Sequence, residues 1–219
     1  MKIALFDFCE TLVSFQTADK YVLFVQSESE VSNKMLKKTY DFCRRHQLMR
    51  LPRKLFPKSA IDKRLILLQM RGRTKLEMEK LAERYYAEEI RPALVPEVMN
   101  ALKEKQDAGF KIFLVSGGYD IYLKLFAREF NIDGIISSKI EFKNGICTGK
   151  MFGPDCMSFN KINYILGTIA DNDFSGWYAY SDSISDLPML NLVGNPVVVS
   201  RNKPQEWAEN ENFSQIIWN

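Results

Sequence analysis

Several polar residues of this chain stand where chemistry is easiest to build, at the ends of buried apolar runs. Asp7 lies near the end of IALFDF, Ser116 closes KIFLVS, and Asp182 closes WYAYSD. Asp186 follows Asp182 within the segment YSDSISDLPML. Carboxylates brought together repel one another unless a cation or a proton intervenes. Oxygen-only ligands that leave room for waters and a phosphate suit magnesium better than zinc or calcium. The segment SGGYD after the second run places a hydroxyl and two glycines just before an expected helix, and backbone N–H groups there bind anions readily. Lys161, early in another expected helix, offers the point charge a phosphate needs.

These residues meet only if the elements between them bring them together. Strands are expected at 3–8, 111–116, 177–182 and 196–200, alternating with helices near 95–108, 158–170 and 185–192. That alternation predicts an α/β core with a Rossmann-like parallel sheet and right-handed crossovers. Ligands of such a sheet bind outside the carboxyl ends of its strands, where Asp7, Ser116 and Asp182 would converge.

Residues 16–90 have a different character. They are rich in Leu, Met, Lys, Arg and Glu with helical periodicity, and Pro52 and Pro57 punctuate the loops. The pieces SAIDKRLILLQMRG and KLEMEKLAERYYAEE read as amphipathic helices. So long a stretch is not a simple connection. An inserted all-helical cap over 15–91 is expected, with the core formed by 1–14 and 92–219. The segment KIEFKNGICTGKM at 139–151 carries an Asn-Gly turn between alternating runs and predicts a small β-hairpin.

Composition narrows the setting. With 46% apolar and 26% charged residues, the chain reads as an ordinary soluble globular protein. Its net charge of +3 is too small to point to nucleic acid. No window approaches a membrane span, and the N-terminal run is too short and too charged for a signal peptide. Cys9, Cys43, Cys147 and Cys156 lack the paired short spacing of a zinc site. Reduced thiols and a cytoplasmic location are expected.

The motifs in order resemble those of the haloacid dehalogenase superfamily. DFCET at 7–11 looks like its first motif, usually D-x-D-x-T, and LVSGG at 114–118 like its second. Lys161 is placed like the third, and YSDSISDLPML at 180–190 is close to the fourth. The phosphoserine-phosphatase-like branch, with a helical cap after the first strand, fits best. GPDC at 153–156 and VGNPVVV at 193–199 also resemble it.

The resemblance implies roles. Asp7 would be the nucleophile that becomes an aspartyl-phosphate. Asp7, the backbone carbonyl of Cys9, Asp182 and Asp186 would hold Mg2+. Ser116, the Gly117 amide and Lys161 would hold the phosphoryl oxygens of a small phosphorylated substrate. Thr11 would brace the loop after the first strand.

Cys9 is the departure, because the family's phosphatases carry there a second Asp that serves as general acid/base. A thiol, with a reference pKa of about 8.5, substitutes poorly. A phosphatase with weakened proton transfer is therefore expected. The alternatives are a phosphate- and metal-binding protein with impaired turnover, or a hydrolase of another bond. Glu10 faces away from Cys9 in an extended chain. His46 and the basic run from Arg50 to Arg73 read chiefly as solvated helix faces.

Overall fold

The computed structural model describes residues 1–28, 66–171 and 173–219. Its centre is a six-stranded sheet in the order β3-β2-β1-β6-β7-β8, parallel at every pairing. The strands are β1 (Ile3–Phe6), β2 (Lys111–Tyr119), β3 (Gly134–Ser138), β6 (Tyr178–Ser181), β7 (Asn195–Arg201) and β8 (Ser214–Trp218). A separate antiparallel hairpin pairs β4 (Ile140–Lys143) with β5 (Ile146–Met151). Its turn residues Asn144 and Gly145 both have positive φ, 50° and 75°, as a two-residue type I′ turn requires.

The helices are α1 (Thr17–Ser27), α2 (Lys75–Tyr85), α3 (Pro96–Asp107), α4 (Asp120–Glu129), α5 (Phe159–Thr168), α6 (Leu187–Leu190) and α7 (Glu206–Asn210). Thr74 caps α2 by accepting the Glu77 N–H at 3.1 Å, and a π-helical turn over Tyr86–Ile90 continues it. Pro96 opens α3 at a position where its missing N–H costs nothing.

β1 explains the layering. All four of its residues are buried, so it reads as a continuous apolar run covered on both faces. Ala4 and Phe6 enter one apolar cluster with Ile112 and Leu114, while Ile3 and Leu5 enter another with Val115 and Ala179. Alternate residues thus feed opposite layers. The chain runs outward from β1 through β2 to β3, then returns to β6 on the other side and runs outward again to β8. β1 and β6 therefore flank the topological switch point, where a crevice opens in sheets of this kind.

Two expectations from the sequence change. β3 and β8 were not expected as strands; GIISS and SQIIW are short and carry polar residues on partly buried edges. The strand containing Ser116 also continues through Gly117 and Gly118 to Tyr119 before α4 begins, so the two glycines lie in extended chain. Of the expected cap, the described residues of 15–91 hold α1, α2 and short helical turns. Pro52, Pro57, His46, Cys43 and most of the basic run from Arg50 lie outside the described residues. No described helix is long and apolar enough to cross a membrane.

Candidate active site

The β1 ladder carries on past its last residue, with the Asp7 N–H donating to the Tyr180 carbonyl at 2.9 Å. This fixes Asp7 at the carboxyl end of the central strand, where it is 6% exposed. The chain then turns sharply. Val13 N–H donates to the Phe8 carbonyl at 3.0 Å, and Glu10 takes a φ of 57° at the bend. Glu10 is exposed and bonded to Gln16.

Lys161, on the first turn of α5, is 3% exposed. Its Nζ donates to Asp7 Oδ1 at 2.9 Å and to Asp186 Oδ2 at 2.5 Å. Ser181, the last residue of β6, donates to the same Asp186 oxygen at 2.7 Å. Burial works against the ammonium, but Asp7 and Asp186 outweigh it and hold it protonated. The Asp7 carboxyl is pushed up by burial, with Lys161 opposing and Asp186 adding to the rise.

Asp182 stands across the switch point from Asp7. The Thr11 hydroxyl donates to Asp182 Oδ1 at 3.0 Å and accepts the Asp182 N–H at 3.1 Å. Thr11 thereby ties the loop after β1 to the loop after β6. Burial, then the neighbouring Asp7 charge, pushes the Asp182 carboxyl up to about 7.

This donor set can be tested against a divalent ion. Among the described residues no group of three or more His, Cys, Asp or Glu side chains forms a ready metal cage. Lys161 and Ser181 engage only the Oδ2 oxygen of Asp186, while Asp7 and Asp182 form a pair in which burial raises both carboxyls and the Asp7 charge adds to the rise at Asp182. Two hard oxygen donors that resist ionising side by side suit magnesium, which binds through one or two carboxylates and keeps its waters. The residues fit such an ion.

Cys9 is 7% exposed and bonded to Thr17 rather than to an acid. Its Sγ lies 3.0 Å from Thr17 Oγ1 and 3.8 Å from Ser116 Oγ. Burial and then the Asp7 charge push the thiol up, so at neutral pH it stays S–H and cannot serve as a base. Ser116 is fully buried and accepts the Gly118 N–H at 3.1 Å. Gly117 follows it within β2. Asp7, Cys9, Ser116, Lys161 and Asp186, all buried, and the half-buried Asp182 are thus linked by direct bonds or by their charges into one region. Thr17, Tyr122 and Ser181 join it without having been signalled. Thr17 and Tyr122 carry no motif, and Ser181 was hidden beside Asp182.

The family model described as haloacid dehalogenase-like hydrolase matches residues 4–191. Phosphoserine phosphatase SerB1 of Mycobacterium tuberculosis is 27% identical over 143 residues, covering 64% of this chain and 46% of that protein. Histidinol-phosphatase of Neisseria meningitidis is 28% identical over 133 residues, covering 58% of this chain and 60% of that protein. The chain spans about half the length of such curated relatives. A crystal structure of a protein with unknown function from Bordetella pertussis Tohama I superposes with a TM-score of 0.81 at 20% identity, covering 98% of this chain and 97% of that one. A substrate-bound phosphoserine phosphatase complex gives 0.63 at 21% identity, covering 98% and 92%. These two likenesses show the fold.

Proposed function

Because the chain belongs to the haloacid dehalogenase-like hydrolase family, we propose that it is a Mg2+-dependent phosphatase of a small phosphorylated metabolite, working through an Asp7 aspartyl-phosphate. The observation that carries this reading is the buried Lys161 ammonium shared between Asp7 and Asp186 at the switch point, with Asp182 facing Asp7. An isolated acid at a strand end has no need of such an arrangement. The relatives named above as phosphatases of phosphoserine and histidinol phosphate support a small ester as substrate.

In this reading an Asp7 oxygen forms the new bond to phosphorus while the ester P–O bond breaks, and the leaving oxygen departs as the alcohol after taking a proton. Water then attacks the same phosphorus. The acyl-phosphate P–O bond breaks, returning the Asp7 carboxylate and releasing phosphate. Lys161, Ser116 and the Gly117 amide hold the phosphoryl oxygens, and burial strengthens each of these contacts. Asp7, the Cys9 carbonyl and Asp182 would hold magnesium, with Asp186 assisting directly or through water. When bound, the ion neutralises the charge that phosphoryl transfer spreads over the oxygens. Residues 15–91 would act as a cap over this crevice. A cytoplasmic location and the absence of nucleic-acid or membrane partners belong to the same reading.

Cys9 sets the rate. Its protonated thiol can donate a weak hydrogen bond but cannot take a proton from water, so hydrolysis of the aspartyl-phosphate is the slow half. The same feature favours a second reading, a phosphate- and metal-binding protein with little turnover. Phosphate release from a panel of phosphomonoesters, with and without Mg2+, separates the two. The phosphatase reading expects Mg2+-dependent release that Asp7→Asn abolishes. Cys9→Asp should raise it by about tenfold or more, since positioned acid/base catalysis is typically worth roughly 10²–10⁴-fold. No release from wild type or Cys9→Asp would remove the phosphatase reading and leave the binding reading or a hydrolase of another bond.

A further inference from the structure

A chain of hydroxyls leads from α4 to Ser116. The Tyr119 N–H donates to the Tyr122 Oη at 2.9 Å. Tyr122 Oη lies 2.8 Å from Thr17 Oγ1, which lies 3.0 Å from Cys9 Sγ, itself 3.8 Å from Ser116 Oγ. Tyr122 is fully buried. Were its proton not given to Thr17, a buried donor would be stranded, which is costly. Tyr122 therefore donates to Thr17, Thr17 donates to Cys9, and the thiol proton is left for Ser116.

Ser116 already accepts the Gly118 N–H. With Cys9 as a second donor both its lone pairs are engaged, and its own proton must be given elsewhere. An anionic phosphoryl oxygen takes that proton in preference to a thiol sulfur. The hydroxyls are held close because Gly118 has no side chain. A Cβ there would lie 2.8 Å from Tyr122 Oη, 3.2 Å from Thr17 Oγ1 and 3.4 Å from Ser116 Oγ. Thr17 is also held from behind, where Tyr85 of α2 donates to its carbonyl at 3.0 Å.

We propose that Thr17 and Tyr122 are positioning residues, which act through Cys9 to aim the Ser116 hydroxyl proton at a phosphoryl oxygen. The inference rests on the reading of Ser116 as a phosphoryl ligand. It gives Cys9 a task that needs no proton transfer, and it couples the first residue of α1 to the phosphoryl site.

The test uses the full chain with Mg2+ and inorganic phosphate as the probe, followed by calorimetry beside steady-state kinetics. Thr17→Val and Tyr122→Phe should each weaken phosphate binding on the order of threefold to tenfold, the worth of one net hydrogen bond. KM should rise more than kcat falls, because the lost contact serves ground state and transition state alike. Thr17→Ser, which keeps the hydroxyl, should restore binding to within about twofold. In a Cys9→Ala background Thr17→Val should add nothing, because the link is already cut. If Thr17→Val fails to fold, Tyr122→Phe carries the same cycle. Wild-type affinity in the Val and Phe variants, or full additivity with Cys9→Ala, would overturn the relay while leaving the phosphatase reading intact. Wild-type protein that binds no phosphate would remove that reading and the relay with it.

Discussion

Replacing Lys161 by Met keeps an aliphatic side chain and deletes the ammonium, and the consequence can be worked from the site. Nζ lies 2.9 Å from Asp7 Oδ1 and 2.5 Å from Asp186 Oδ2, and Lys161 is 3% exposed. Removing one partner of a buried ion pair typically costs about 3–5 kcal/mol. A stranded carboxyl can escape by taking a proton. From a reference pKa of about 3.9 that costs about 4 kcal/mol at about pH 7, but only about 1.5 kcal/mol at about pH 5. The stranded group has a folded pKa above its unfolded one, so the stability it confers is present at low pH and is lost as pH rises. Lys161→Met should therefore be destabilised by about 4 kcal/mol at neutral pH, and by less than half of that near pH 5. In a chain of this size the neutral-pH loss corresponds to a Tm lower by about 10 °C. Urea unfolding of both proteins at the two pH values, monitored by circular dichroism, measures it. A loss below about 1 kcal/mol, or one equal at both pH values, would show that the amine does not hold these carboxylates together.

The remaining predictions concern the ion and the frame around it. Thr11→Val removes the hydroxyl that bonds Asp182 from both sides, and Mg2+ affinity measured by calorimetry should fall about tenfold. The Asp182 carboxyl, raised to about 7, contributes stability below its unfolded pKa that is lost as pH climbs through 7. Metal-free protein should therefore melt at lower temperature near pH 8 than near pH 6, while the rise in Tm on adding Mg2+ should be larger near pH 8, in thermal scans with and without chelator. Gly194→Ala would drive a methyl group into the Ser175 carbonyl. A loss of about 1–3 kcal/mol or more in urea unfolding is expected, without a change in Mg2+ affinity measured under folding conditions.

The frame of the candidate site was legible because β1, β2, β6 and β7 carry apolar runs that are followed by polar residues. Such runs announce a buried parallel sheet, and strand-end polarity announces its crevice. β3 was hidden because its two serines, Ser137 and Ser138, mask the apolar signal of Ile135 and Ile136. β8 was hidden because Ser214 and Gln215 open a short edge strand whose burial depends on pairing with β7. Within the site, the acids and Lys161 stood out by type and place. The commitment of Asp186 to Lys161 did not, because it depends on how α5 is set against β6. Thr17 and Tyr122 were out of reach for a similar reason: a hydroxyl on the inner face of a helix carries no distinguishing period, and only the packing of α1 and α4 around Gly118 reveals its partners.

The covalent step is what the whole account turns on, and it can be caught directly. Wild-type protein mixed with Mg2+ and a reactive phosphomonoester, quenched in acid within one turnover and digested, should yield a phosphorylated peptide whose modification maps to Asp7. If Cys9 slows the second half as proposed, that species should accumulate, and Cys9→Asp should deplete it. Phosphate released with no adduct at Asp7, or an adduct carried by Ser116 or Cys9 instead, would contradict the account.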